Sequence, residues 1–263
     1  MFTERTPRVA AARQLLRRSG RDKAGRFLAE GAQAVREALT YGTVHEVFAT
    51  EAAASRHPDL AAGASPITER AAASLSETVT PQGILAVCSL VDGALAQALS
   101  GTPRLVAVLA GIADPGNAGT ILRTADAAGA GAVVFTAGSV DPYNGKAVRA
   151  SAGSLFHLPV TREVSTADAV AAARAAGLTV LAADAAGEAD LDDLADCGDL
   201  ARPTAWLFGN EARGLPADLA VLADARVRIP IHGRAESLNL AAAAAICLYA
   251  SARAQRRRPT NCG

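Results

Sequence analysis

Beyond residue 104 the chain carries five short apolar runs, at 105–112, 132–136, 180–183, 205–208 and 227–231, set apart mostly by alanine-rich stretches with helical character. Runs this short and apolar offer no polar face to solvent, so they read as strands buried on both sides, the pattern of a parallel sheet with helices over each face. In an open sheet of that kind ligands sit beyond the carboxyl ends of the strands. The loops after residues 112, 208 and 231 are therefore where chemistry is to be sought.

The first 92 residues have a different rhythm. Residues 7–18 predict a basic helix, and a segment that opens at Phe27-Leu28-Ala29-Glu30-Gly31 and runs to about Tyr41 places its apolar residues at helical spacing. A strand over 44–49, a polar loop around His57-Pro58, a helix over 67–75 and an apolar strand over 84–90 complete a small α/β module. Gly93, Gly101 and Pro103 around a short apolar helix mark 93–103 as a linker. The expected organisation is a domain at 1–92 and a larger one at 104–263.

Cys88, Cys197, Cys247 and Cys262 are scattered, with no C-x-x-C pair, and predict packed thiols in a reducing cytosol without a metal site. The N-terminus lacks the apolar core of a signal peptide, and the stretch 238–250 is too short to span a bilayer, so a cytoplasmic protein without a membrane segment is expected. Net charge is zero but uneven. Arg5, Arg8, Arg13, Arg17, Arg18, Arg21, Lys23 and Arg26 face only Glu4 and Asp22, and the tail holds Arg253, Arg256, Arg257 and Arg258. Such clusters either track phosphates, releasing counterions, or are solvated helical faces; charge alone does not choose. No G-x-G-x-x-G follows a strand, and Gly129-Ala130-Gly131 fits a helix C-cap better than a dinucleotide turn. Phosphate-cradling and serine-nucleophile motifs are absent from the sequence as well.

The first loop, residues 113–120, contains Asp114-Pro115-Gly116-Asn117 and opens a helix carrying Arg123, which either leans back toward the helix start or pairs with Asp126. The second, Gly209-Asn210-Glu211-Ala212-Arg213-Gly214, mounts a carboxylate on a strand end. In the third, residues 232–240, Ser237 reads as an N-cap and Asn239 as an amide able to face a ligand at the start of an apolar helix.

Taken together, residues 117–126, 207–215, and 229–231 with 236–240 resemble the three signature motifs of the SpoU/TrmH branch of the SPOUT RNA methyltransferases, in the same order, and residues 26–31 resemble the start of that family's N-terminal substrate-binding domain. The resemblance implies an α/β fold in which a C-terminal parallel-sheet domain forms a deep trefoil knot and a small N-terminal domain binds substrate. It implies a homodimer, S-adenosylmethionine held by Leu207, Phe208, Gly209, Ile229, Pro230 and Leu238, and a reacting ribose surrounded by Asn117, Arg123, Glu211, Ser237 and Asn239. On that reading Arg123 binds a phosphate and steadies the developing alkoxide, Glu211 orients Arg123, and Arg13, Arg17, Arg18 and Arg26 contact structured RNA, ribosomal before transfer RNA. A catalytically silent RNA-binding or ribosome-assembly protein on the same scaffold, and an enzyme of small phosphorylated metabolites, are the alternatives.

Overall fold

A computed structural model of the chain describes residues 1–256, so Arg257, Arg258 and Cys262 lie outside the described residues. Two units separate: residues 1–91 together with 141–157, and residues 92–140 together with 158 onward.

The first unit is built on a mixed sheet of β1 (Arg26–Glu30), β2 (Val44–Ala49), β3 (Ser65–Pro66) and β4 (Ile84–Ser89), in the order β1-β4-β2-β3. Residues 27–30, expected to open a helical segment, form β1 instead: each is buried and pairs antiparallel with β4, and the helix begins only at Ala32, after Gly31 turns the chain at φ +98°. The single basic helix expected over 7–18 is likewise two, Pro7–Gln14 and Arg18–Ala24. The break is held by Arg21, which donates to the carbonyls of Leu15 and Leu16, both at 2.9 Å, and to Asp141 Oδ2 from Nε at 2.9 Å and Nη2 at 2.7 Å. Both side chains of this ion pair are almost fully buried. Arg21 is thus a structural residue and no part of an exposed basic face.

Asp141 belongs to an excursion, 141–157, that packs on this unit. Tyr143 and Phe156 lie 4.8 and 5.7 Å from Phe27, and Arg149 donates to Glu30 at 2.9 Å. A division at a single point near residue 92 cannot contain such a return, because its partners lie about 120 residues apart in sequence. Nor is 93–103 a free linker: helix Leu95–Leu99 belongs to the second unit, and Ala98 and Leu99 enter its core.

The second unit holds seven parallel strands: β5 (Leu105–Leu109), β6 (Ala132–Thr136), β7 (Val160–Val164), β8 (Thr179–Ala183), β9 (Ala189–Asp190), β10 (Thr204–Phe208) and β11 (Ala225–Arg228), in the order β7-β6-β5-β10-β8-β11-β9. Each of the five expected runs supplies a strand; β7 and β9 are the additions. Alternation along the central strand builds two cores. Ala205 and Leu207 join Val106, Val108, Val134 and Val180 under helix Thr166–Ala175, while Trp206 and Phe208 stack at 6.2 Å on the opposite face. Helix Pro115–Ala128 ends at Gly129, left-handed at φ +76°, as the sequence predicts. No helix among the described residues is long and apolar enough to cross a membrane.

The indole Nε1 of Trp206 donates to Ser251 Oγ at 2.9 Å, with both residues fully buried, and so fixes helix Leu240–Arg256 to β10. Ser251→Ala leaves that N–H without an acceptor and is expected to lower stability by about 1–3 kcal/mol. Denaturant unfolding followed by the fluorescence of Trp206, the single tryptophan, measures it; an unchanged midpoint contradicts the assignment.

Candidate active site

The order of the larger sheet reverses between β5 and β10, and the carboxyl ends of these two strands deliver the first two loops side by side. The join begins just beneath the site. Ser139 Oγ donates to Leu109 O at 2.9 Å and accepts from Gly111 N at 3.0 Å, and Asn210 Nδ2 donates to Gly111 O at 2.8 Å. Asn210 also shapes its own loop. Its Oδ1 accepts from Ala212 N and Arg213 N, and its backbone exchanges hydrogen bonds with Gly214 at 3.0 and 2.8 Å. The loop closes so tightly that a Cβ on Gly209 would lie 2.5 Å from the Gly214 carbonyl carbon, which only glycine avoids.

Glu211 projects from this turn onto the first loop. Its Oε2 accepts from Ala113 N at 2.9 Å, and its Oε1 from Asp114 N at 3.0 Å and Asn117 Nδ2 at 3.1 Å. Asp114 caps helix Pro115–Ala128 by accepting from Asn117 N at 2.8 Å, and Pro115 fills the first helical position, where a missing N–H costs nothing. The anion at this helix start is therefore the protein's own carboxylate, in a position the helix dipole favours. Burial pushes the Glu211 carboxyl up, but the hydrogen bonds from Ala113, Asp114 and Asn117 outweigh it and hold the group below the usual carboxylate range. Glu211 is ionised at neutral pH.

Asn117 passes the connection on. Its Oδ1 accepts from Asn239 Nδ2 at 3.1 Å, joining residues 122 apart in sequence, and Asn239 Oδ1 accepts from Ala241 N at 2.9 Å and Ala242 N at 3.3 Å. Asn239 is thus the N-cap of helix Leu240–Arg256, the role expected of Ser237, which lies two residues upstream and lines a cavity instead. Three motif residues, Asn117, Glu211 and Asn239, meet in one network. Arg123 is exposed on helix Pro115–Ala128 and, among the described residues, has neither hydrogen bond nor ion pair; the pairings considered for it, with Asp126 and with Glu211, are both absent. Glu211 holds the first loop, not Arg123.

A cavity of about 260 Å³ opens beside this network. Gly209, Ile229 and Leu238 line it as expected; Leu207 and Phe208 do not, being fully buried within the two faces of the sheet, and Pro230 is not part of the lining. Sequence reasoning missed Asp184, Leu215, Val227, Ile231 and Glu236. Asp184 follows β8, so the strand-end rule that selected three loops applies to it equally. The walls mix apolar and acidic groups: Val227 is buried, Leu215 and Ile229 are half-buried, Ile231 and Leu238 stay partly exposed, and Glu236 and Asp184, the latter 3.6 Å from Arg226, bring carboxylates. Among the described residues no loop hydrogen bond engages the backbone of 231–238, which leaves its N–H and C=O groups available beside the cavity. Arg13, Arg17, Arg18 and Arg26 lie in the first unit, all exposed, with Arg18 3.7 Å from Asp22.

A family model described as the SpoU rRNA Methylase family matches residues 104–249, more than half of the chain and every residue of the network. The chain belongs to the SpoU rRNA methylase family. A second model, described as an MRM3-like substrate binding domain, matches residues 6–86. The 23S rRNA (guanosine(2553)-2'-O)-methyltransferase RlmP of Bacillus subtilis is 38% identical over 233 residues, covering 87% of this chain and 89% of that protein. Among solved structures, the AdoMet-bound rRNA methyltransferase from Sinorhizobium meliloti superimposes with a TM-score of 0.82 at 33% identity, over 94% of this chain and 95% of that one. The SpoU methyltransferase AviRb from Streptomyces viridochromogenes, in complex with AdoMet, gives 0.78 at 30% identity over 95% and 98%.

Because the folded pKa of Glu211 is depressed, the contacts that need its charge are complete above the ordinary glutamate range and are lost only as pH falls through the lower folded value. A carboxyl-carbon NMR titration is expected to place the Glu211 midpoint below about 4.3, the unperturbed glutamate value; a midpoint at or above it contradicts the hydrogen-bond account. Glu211→Gln sets an amide N–H₂ against donors, and at least a tenfold loss of the family's methyl-transfer activity is expected.

Proposed function

We propose that this protein is an S-adenosylmethionine-dependent methyltransferase that modifies a ribose 2′-hydroxyl in ribosomal RNA. The observation that carries this reading is the Glu211–Asn117–Asn239 network set against an apolar, acid-rimmed cavity within the region matched by the family model. Two relatives, of Bacillus subtilis and Streptomyces viridochromogenes, are named for 23S rRNA, and both structural neighbours described above hold AdoMet. Ribosomal RNA is favoured over transfer RNA on that basis, and a cytoplasmic location follows from the substrate.

When bound, the cofactor supplies a methyl group already activated on a sulfonium, so the chain has to align the acceptor oxygen and manage its charge. Gly209, Ile229, Leu238 and Ser237 line the space that would hold it, with Glu236 bringing a carboxylate that matches its positive charge. Leu207 and Phe208 act from behind, keeping β10 and the turn after it in place. Glu211, ionised and already accepting three hydrogen bonds, fixes the first loop and is not positioned as an acid. Arg123 has no internal partner among the described residues, so its guanidinium is available to a phosphate and to the alkoxide that develops as the 2′-proton leaves.

The knotted path and homodimerisation belong to the same proposal. Helix Leu240–Arg256 follows β11, between β8 and β9, yet docks on β10, as a chain passing back through its own loops would. Ile246 and Tyr249, both exposed on that helix, suit a second copy.

The test is transfer of a labelled methyl group to unmodified rRNA, with the product mapped by mass spectrometry. A ribose-methylated, alkali-resistant dinucleotide is expected; a methylated base, or cofactor binding without transfer to any RNA, overturns the reading. Arg123→Lys keeps charge but loses the planar fork, and kcat is expected to fall about 10²-fold, as when one donor to a developing oxyanion is removed. Near-normal turnover would contradict a fork-shaped contact.

A further inference from the structure

Most arginines of the second unit have internal partners. Arg162 pairs with Asp92, Arg174 with Asp224, Arg202 with Asp199, Arg226 with Glu188 and Arg228 with Asp190, while Arg104 and Arg256 donate to the carbonyls of Ala201 and Ala128. Arg123, Arg213, Arg234 and Arg253 stand apart: all four are exposed and, among the described residues, none has a hydrogen bond or ion pair through its side chain. Arg253 lies near the far end of its helix. Arg123 lies on the helix that carries Asn117, Arg213 in the turn that carries Glu211, and Arg234 five residues before Asn239, on the stretch that leads into its helix.

Arg213 is held where it is. Its backbone N–H donates to Asn210 Oδ1 at 3.2 Å inside the turn closed by Asn210 and Gly214, two residues from the carboxylate that clamps the first loop. Arg234 lies on the stretch 231–238, whose backbone makes no loop hydrogen bonds among the described residues, and it makes no ion pair with Glu236 two residues away. A cation kept beside a site without a local counter-charge lacks a structural use there, while a polyanion supplies the missing charges. Guanidinium groups are suited to phosphate oxygens in particular, through paired, coplanar hydrogen bonds.

We infer that Arg213 and Arg234 grip backbone phosphates of the substrate strand on either side of the nucleotide presented to the site, a role that rests on the RNA-methyltransferase reading and adds two contacts beyond Arg123. Phosphate contacts position a strand without reading its sequence, so these residues set affinity and register and leave the choice of nucleotide to other parts of the protein.

The test is the salt dependence of binding to an unmethylated 23S rRNA transcript, measured by filter binding with full-length protein. Each phosphate contact removed is expected to reduce the slope of log affinity against log salt by about 0.7 in single-stranded RNA and about 0.9 in duplex. Arg213→Ala and Arg234→Ala should each show one such step and the double variant two, with S-adenosylmethionine titration unchanged. Arg202→Ala, at an arginine that is also exposed but internally paired, should leave the slope at the wild-type value. Unchanged slopes in both site variants, a step as large in Arg202→Ala, or no binding by the wild type would overturn the inference. If the slopes fall as expected while the wild type methylates no RNA, the grip stands and the enzymatic reading alone fails.

Discussion

The architecture of the site depends on one carboxylate. Glu211 stands at the end of the central strand and collects two backbone N–H groups and a side-chain amide from the loop after β5. Glu211 is exposed, so little water is lost, and three donors and the start of a helix favour its charged form. All of them are neutral, and that has a consequence for the chemistry. The charge is stabilised without an arginine, which leaves Arg123 without an internal partner among the described residues.

The network extends to both sides. Through Asn210 it reaches Gly111, Ser139 and the end of β5, so the turn that carries Glu211 is fastened beneath as well as in front. Through Asn117 it reaches Asn239, the cap of helix Leu240–Arg256, and that helix is in turn held to β10 by the bond between Trp206 and Ser251. The cavity lies between segments that this circuit locks at one end and leaves open at the other: 209–215 is a closed turn, while 231–238 has its backbone groups free.

The parallel sheet was legible because its runs are apolar on both faces, a pattern that depends on local sequence alone. The same rule failed at β1, where four consecutive buried residues have neither a two-residue nor a distinct helical period, and pairing with β4 decides. Seven-stranded width was missed at the edges, where Val160–Val164 interleaves threonine, arginine and glutamate, and Ala189–Asp190 is two residues long. At the site, residue identities were readable and roles were not. Ser237 and Asn239 are both good N-caps, and what separates them is an amide 122 positions away. The family resemblance implies that Glu211 orients Arg123, whereas backbone N–H groups that no sequence displays have the stronger claim on its carboxylate. Arg21 shows the same limit: within a basic cluster it looks solvated, yet it is buried against an aspartate 120 residues on.

Amide hydrogen exchange at Ala113 and Asp114, read residue by residue in the wild type and in Glu211→Ala, tests the clamp most directly. Ala113 is exposed and Asp114 only half-buried, outside any helix or strand, and both amides donate to the carboxylate, which is the source of protection the account assigns them. Slow exchange in the wild type that becomes at least tenfold faster in Glu211→Ala, with the amides of β5 unaffected, is the predicted result. Fast exchange at both positions in the wild type would show that the loops are not held together in solution, and the account of the site built on them would be wrong.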